Sequence, residues 1–455
     1  MRDGAALTAL YLDEVRRRGA RASELRGRLA ESELLSSIYG GRYLSRPLFI
    51  GATERQQLHA DLENLRTALT SLPDRLYGGD LAAFARAAGA AQPQVSAVLR
   101  SRGAPPTRQA RADLYADQSG FRLLEINIGS PAAGIDNADI CRAMLEHPVL
   151  AEFADAHHLG YVDTMRAQVD GILAECHLNP GSFPMIVVAD WLTSYRTLGP
   201  YLHKLMARWR ELGLDAHACH VGELRAQDGR VWLRGQAVDT VFRLFMIEHL
   251  LESADAPALT DPILDAAARG EVTMFTSVDS DLFSSKAALA MLSDGQNRHL
   301  FTAAEQASIE AILPWTRIVR PGLVTLEDGR TVDLLDYAAG HADDLILKPA
   351  MLHSGQGVLP GWHPATSRRL WRDRLAAAAT GGYVIQRRIR PVPELFPDDH
   401  GDLVPWVVAW GAFTLASGYG GMFCRAHPAD SPSAVISVET GASVGCCLSP
   451  VREVS

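Results

Sequence analysis

The chain has 455 residues, enough for two or three domains around a large buried core, and its 47% hydrophobic and 21% charged residues are the balance of an ordinary globular enzyme. No apolar run approaches the roughly 18 residues of a membrane span, and the basic triplet Arg16-Arg17-Arg18 is not followed by an apolar stretch with a small-residue cleavage site, so no membrane anchor or export signal is read. A formal net charge of -9, with no basic run interleaved with aromatics, argues against a nucleic-acid partner.

Along the chain, LTALYLDEVRRRG, ASELRGRLAESELL, TERQQLHADLENLRTALTSL and GDLAAFARAAG place apolar residues at three- to four-residue spacing, which predicts a helical N-terminal region over 1–105. A two-stranded element and further helices follow over 106–180. PMIVVADW, TLGPYLHKLMARWRELG, DAHACHV, RVWLRGQAVDTVFRLF and ALTDPILDAAARG then alternate strand and helix, as in a small open Rossmann-like sheet over 181–272. Over 273–455 strands predominate, in DLILKPA, GYVIQRRI, PWVVAWGAFTL, YGGMFCRA and AVISVET. The class is α/β, with α+β character.

Six cysteines (Cys141, Cys176, Cys219, Cys424, Cys446, Cys447) show no C-x-x-C spacing and no paired histidines, the pattern of a reduced cytoplasmic protein with buried thiols. The adjacent Cys446 and Cys447, with apolar flanks and no histidine nearby in sequence, read as buried thiols rather than a nucleophile.

Only three lysines occur, Lys204, Lys286 and Lys348, and every other basic residue is arginine. Where arginine is the default cation, a retained lysine marks a place for a compact ammonium, as at a phosphate. Lys204 lies in a helical stretch, where chance survival in a lysine-poor chain is an equal reading. Lys348 ends the apolar run DDLILK and is followed by the loop His353-Ser354-Gly355-Gln356-Gly357, whose glycines let backbone N–H groups approach a polyphosphate. Arg387-Arg388-Ile389-Arg390 is the densest basic cluster and reads as a strand end at a solvated or phosphate-facing edge.

In RADLYADQSGFRLLEIN, runs from Arg111 to Asp117 and from Phe121 to Asn127 flank Gln118-Ser119-Gly120, a three-residue loop with glycine last, which predicts a hairpin. If Asp117 pairs with Phe121, Asp113 faces Glu125 and Arg111 faces Asn127, all four on one side of the ribbon. Opposed strand residues lie about 4.5–5.5 Å apart at Cβ, so two carboxylates and an amide oxygen converge as a small set of hard ligands suited to magnesium. Two opposed carboxylates need a positive partner, and Arg111 alone could supply it in an Asp-Arg-Glu network with no metal.

These residues resemble the glutathionylspermidine synthetase-like, circularly permuted ATP-grasp ligases. The likeness runs through Arg111-Ala-Asp113, Leu123-Leu124-Glu125-Ile126-Asn127 with Pro131, the segment of Arg243 and Glu248, SSKAAL with Lys286, LILKPAMLHSGQGV with Lys348, YVIQRRIRPVP with Gln386, and the strands ending in Arg425. It covers about 105–445 in order, without the amidase domain of bifunctional members. One departure stands out, because His353-Ser354-Gly355-Gln356-Gly357 replaces a glycine loop that in the family carries an Arg-Glu pair.

The resemblance implies a permuted ATP-grasp fold in which 181–272 is the domain preceding the ATP-grasp core and 273–455 binds nucleotide. It implies Mg2+, as two ions, on Asp113, Glu125 and Asn127. Lys286, Lys348 and the loop residues Ser354, Gly355, Gln356 and Gly357 would contact the phosphates of ATP, and Gln386 the adenine side. Arg111 and Arg425 would face the transferred phosphoryl group and the acyl intermediate. The implied activity is an ADP-forming carboxylate-amine ligase acting on small-molecule acid and amine substrates, the acid an amino acid or small peptide. Open at this stage are a carrier-protein, thiol or hydroxyl acceptor, a non-catalytic nucleotide-binding scaffold, and the roles of Arg243, Glu248 and His353, where Arg243 and Glu248 are either substrate contacts or a structural pair.

Overall fold

The computed structural model describes residues 3–101, 105–129, 134–353 and 355–451. Its first hundred residues are helical as the spacing predicts, in Asp3–Arg18, Ala22–Ala30, Glu33–Tyr39, Ala52–Thr70, Leu72–Tyr77, Leu81–Ala87 and Gln92–Arg100. They are broken once, between Tyr39 and Ala52, where the sequence reading saw only helix. There Leu48–Phe49 adds a short parallel strand against Cys447–Leu448, and Arg46 is drawn fully inside by Glu394 at 2.8 Å, by the Leu395 carbonyl at 2.8 Å and by the Phe396 ring at 4.3 Å. The helical region is thereby stitched to the last strands of the chain.

One sheet organises the molecule. Its order is Leu48–Phe49, Ser443–Pro450, Gly418–Pro428, Leu403–Leu415, Ala110–Asp117, Gly120–Ile128, so a hairpin from the first third of the sequence is completed by strands some three hundred residues later. Alternation divides its faces. Ala110, Ala112 and Leu114 point into a core shared with the N-terminal helices, through Leu62, Leu65, Leu69 and Val98, while Arg111 and Asp113 point the other way.

Beside it, Met185–Asp190, Asp215–His220, Thr240–Arg243 and Thr273–Phe275 form the expected small parallel sheet. The segment 224–238 makes a separate three-stranded antiparallel ribbon before the chain re-enters that sheet at Thr240. A third, antiparallel sheet runs Thr316–Ile318, Tyr383–Arg387, Leu345–Pro349, Leu359–Pro360 and packs on Trp371 and Leu375 of the helix Arg368–Ala378. AVISVET is not a strand. Residues 434–440 form a loop whose turns are held by the Thr440 hydroxyl, which accepts from Ser437 N at 3.0 Å, and the final strand is Ser443–Pro450. Among the described residues no helix is long and apolar enough to cross a membrane. All six cysteines are buried and unpaired with one another, and burial holds the Cys446 and Cys447 thiols well above their usual range.

The hairpin reaches the expected register by an unexpected route. Asp117 pairs with Gly120, so the turn is the two-residue Gln118-Ser119 and not a three-residue loop. A bulge at Leu124 then shifts the ladder by one residue, and beyond it Asp113 faces Glu125 and Arg111 faces Asn127. The bulge also leaves Leu124 outside the ladder pairing.

Because Arg46 is wholly enclosed, removing its carboxylate strands a buried charge. Glu394→Ala should cost about 3–5 kcal/mol of unfolding free energy, measured by urea titration; a change under about 1 kcal/mol, the size of an exposed pair, would contradict the stitching role.

Candidate active site

The cleft-facing side of the hairpin concentrates charge inside the protein. Asp113 accepts from Arg111 through both oxygens, at 2.9 Å from Nε and 3.2 Å from Nη2, and lies 2.8 Å from Arg425 Nη2. Glu125 lies 3.0 Å from Lys286 Nζ. Burial alone would push the Asp113 carboxyl up, but Arg111 and Arg425 overcome it and leave it below the ordinary carboxylate range. Burial likewise opposes ionisation of Glu125, and Lys286 and then Lys348 bring it down to about 2. Both carboxylates are therefore ionised at neutral pH, as oxygen ligands for a cation must be. The Asp-Arg-Glu alternative is met in part, since Arg111 does pair with Asp113, but Glu125 has an ammonium partner.

Each cation is delivered by a different element. Gly411, in the strand between Asp113 and Arg425, permits this approach, since a Cβ there would meet the Phe423 carbonyl at 2.8 Å and Arg111 Cδ at 3.1 Å. Lys286 is the first residue of the helix Lys286–Ser293, where the helix dipole disfavours a cation. Glu125 and the Leu352 carbonyl, at 2.9 Å, offset that cost. Lys348 Nζ donates to the carbonyl of the bulge residue Leu124 at 3.0 Å and to Gln386 Oε1 at 2.7 Å, and Gln386 in turn donates to Thr316 Oγ1 at 3.1 Å. Burial lowers the Lys348 ammonium to about 8, only partly countered by Glu125.

Asp113, Glu125, Lys348, Gly355, Gln386 and Arg425 share the lining of one cleft. Its other walls were not legible in the sequence: Tyr115, Trp362 under the Arg388 guanidinium at 4.4 Å, and Val435, Ile436 and Ser437 of the loop misread as a strand. The glycines of the 353–357 loop are required by conformation. Gly355 and Gly357 have φ of +72° and +69°, and a Cβ at 355 would strike Val435 at 2.6 Å. Gln356 N closes a turn on the His353 carbonyl at 3.1 Å. Ser354 and Pro131 lie outside the described residues.

His353 bridges two parts of the site. Its Nδ1 is 3.3 Å from Asn127 Oδ1 and its Nε2 is 3.4 Å from Glu248 Oε2. Burial, then Lys286, lowers the imidazole to about 4, while burial, then Asp281, raises the Glu248 carboxyl to about 8. At neutral pH this is a contact between two uncharged groups. Arg243 and Glu248 are not the structural pair that the sequence left open, because Arg243 is paired in bidentate fashion with Asp281, at 2.7 and 2.9 Å, in full burial. Asp281, in VDSDLF, carried no signal that would have separated it from a surface acid.

The donor set fits magnesium. Asp113, Glu125 and Asn127 offer oxygen only, the two carboxylates are direct cross-strand partners, and Glu125 keeps a fifth of its side chain open to the cleft. Among the described residues no group of three or more His, Cys, Asp or Glu side chains could hold a metal ion, so a third protein ligand has to be an amide or a carbonyl.

No family model matches the chain, and no curated protein does. Among solved structures, a glutathione synthetase-like effector (GSS30) from Globodera pallida is similar over 97% of this chain and 94% of its own, with a TM-score of 0.56 and 11% identity. A protein named provisionally as a gamma-glutamylcysteine synthetase of Methylobacillus flagellatus KT is similar over 84% of this chain and 88% of its own, with a TM-score of 0.43 and 12% identity, a likeness too loose to bear on the fold. The chain thus has the mixed α/β fold of a glutathione synthetase-like protein.

The raised Glu248 carboxyl sets a pH dependence. Between the ordinary carboxylate range and about 8 the folded chain holds a proton that the unfolded chain has lost, so this group makes stability fall as pH rises through that window. Glu248→Gln should therefore gain urea resistance over wild type progressively between about pH 5 and pH 9; a constant difference across that range would show that Glu248 is ionised in the fold.

Proposed function

We propose that the chain is an ATP-dependent carboxylate-amine ligase of the permuted ATP-grasp kind, using a carboxylic acid and an amine and releasing ADP and phosphate. The observation that supports this most is the meeting of Lys286 and Lys348, the two lysines of the sequence with site-like settings, on one hairpin whose opposed carboxylates both remain ionised.

In this reading the adenine enters the apolar end of the cleft, between Ile346, Val358 and the 386–389 segment, and the phosphates extend toward Lys286, Lys348 and the 353–357 loop. Asp113, Glu125 and Asn127 would hold Mg2+, which would supply charge neutralisation on the phosphates. Gln386 acts through Lys348, fixing its ammonium at 2.7 Å, and thus sits behind the phosphate contact as well as beside the base. The substrate carboxyl attacks the terminal phosphorus, the bond to the ADP oxygen breaks, and the amine nitrogen then adds to the acyl carbon and expels phosphate with loss of a proton. Lys286 and Lys348 contribute fixed positive charge to the first transfer. Arg111 and Arg425, already converging on Asp113, face the oxyanion of the second. Glu248 lies on the far side of His353 from Asn127, where it can meet a substrate amino group.

Lys348 is 5% exposed and held between two acceptors, and the longer, planar guanidinium cannot occupy that space and satisfy both. Lys348→Arg should keep the fold by circular dichroism and reduce ADP release, in the presence of pooled acids and amines, about a hundredfold or more. Wild-type turnover in this variant would contradict the assignment.

A further inference from the structure

The parallel sheet has a feature that the ligase reading leaves unused. From Met185–Asp190 the chain passes through the helix Leu192–Glu211 to Asp215–His220 on one side, then returns to Thr240–Arg243 on the other, so the winding reverses between 185–190 and 240–243. In open parallel sheets, ligands bind beyond the carboxyl ends of the strands at that reversal. Asp190 ends the first of these strands.

Its side chain is 1% exposed. Oδ1 accepts from Trp191 N at 2.8 Å and Oδ2 makes no hydrogen bond of good geometry, the Ser194 hydroxyl being the side chain that most favours the ionised carboxyl. An orphaned buried acceptor costs about 1–3 kcal/mol, and burial, the largest influence on this carboxyl, raises it above its usual range in spite of the helix start next to it. The fold thus gains little from a carboxylate where an amide would do. Around it stand groups suited to a cation. The Trp191 and His249 rings are parallel, 6.0 Å apart at their centroids, with Glu252 3.9 Å from His249 and fixed by Thr193 at 2.8 Å. Leu192 and Leu251, 40% and 52% exposed, flank them. His249 follows Glu248, so one short turn presents one residue to the phosphate loop and the next to the strand ends.

We propose that the crevice at the carboxyl ends of Met185–Asp190 and Thr240–Arg243 receives a protonated amino group on an apolar-bodied substrate, with Asp190 as counter-ion and the Trp191–His249 pair as its wall. A carboxylate beside an indole is the chemistry that holds an organic ammonium. The proposal rests on the ligase reading only for which substrate bears the group.

The test measures binding without nucleotide, so it stands or falls apart from turnover. Phenethylamine is titrated against the full chain by tryptophan fluorescence, with 2-phenylethanol as the uncharged probe of the same shape and Trp191→Phe to assign the signal. Saturable quenching by the amine is expected, at least about tenfold weaker for the alcohol and in Asp190→Asn, the loss of one charged contact, and largely absent in Trp191→Phe. Asp190→Asn should melt at or above the wild-type temperature. Equal binding of amine and alcohol, full affinity in Asp190→Asn, or a quench that survives in Trp191→Phe would overturn the proposal. So would an Asp190→Asn protein that melts lower or fails to fold, since Asp190 would then be a helix cap.

Discussion

Asp113, buried, and Glu125, with a fifth of its side chain exposed, face each other across one hairpin, and two such carboxylates side by side are tolerated only where positive charge reaches both. That requirement recruits the rest of the structure. Arg111 comes from the same strand, Arg425 from a strand near the end of the chain, Lys286 from a helix start, and Lys348 from the third sheet, meeting the bulged backbone next to Glu125. Each cation is itself buried, and each has a carboxylate or carbonyl to meet. These pairings explain how so dense a set of charges is tolerated inside the fold.

The same pairings describe what a ligand has to do. In the proposed reading, polyphosphate would bring negative charge to Lys286 and Lys348, and a cation brought with it would take up oxygen atoms of Asp113, Glu125 and Asn127. In that reading the site would exchange internal pairs for ligand pairs, the preorganisation that makes fixed charges effective in phosphoryl transfer. His353 links Asn127 to Glu248, and the turn 247–251 connects that contact to the parallel sheet, so the 353–357 loop and a separate strand-end region share a line of contacts.

Much of this was legible in the sequence, and the failures have physical causes. The scarcity of lysine drew attention to Lys286 and Lys348, which the fold brings to the hairpin of Asp113 and Glu125. The facing of Asp113 and Glu125 followed from period-two alternation, although the turn assumed for it was one residue too long. The error cancelled against the bulge at Leu124. A signal for that bulge was present: Phe121 and Leu123 share a face, as do Ile126 and Ile128, and the step from 123 to 126 breaks the alternation, so that both pairs reach the core only if one residue is looped out. AVISVET failed because Val435 and Ile436 line the cleft and Val438 packs on a core cluster instead of pairing in a sheet, a use of apolar residues that pattern alone cannot separate from a strand. Asp281 and Trp362 act through partners distant in sequence, and no local spacing foretells such pairs.

The central claim is that the hairpin carboxylates hold a metal-nucleotide complex between the two lysines. It is tested most directly by equilibrium binding of ATP to the wild type and to Glu125→Gln, each with and without Mg2+. The account predicts Mg2+-dependent binding in the wild type, and in the variant weaker binding that Mg2+ no longer improves. ATP binding that is indifferent to Mg2+ in the wild type, or equal Mg2+ dependence in both proteins, would contradict it.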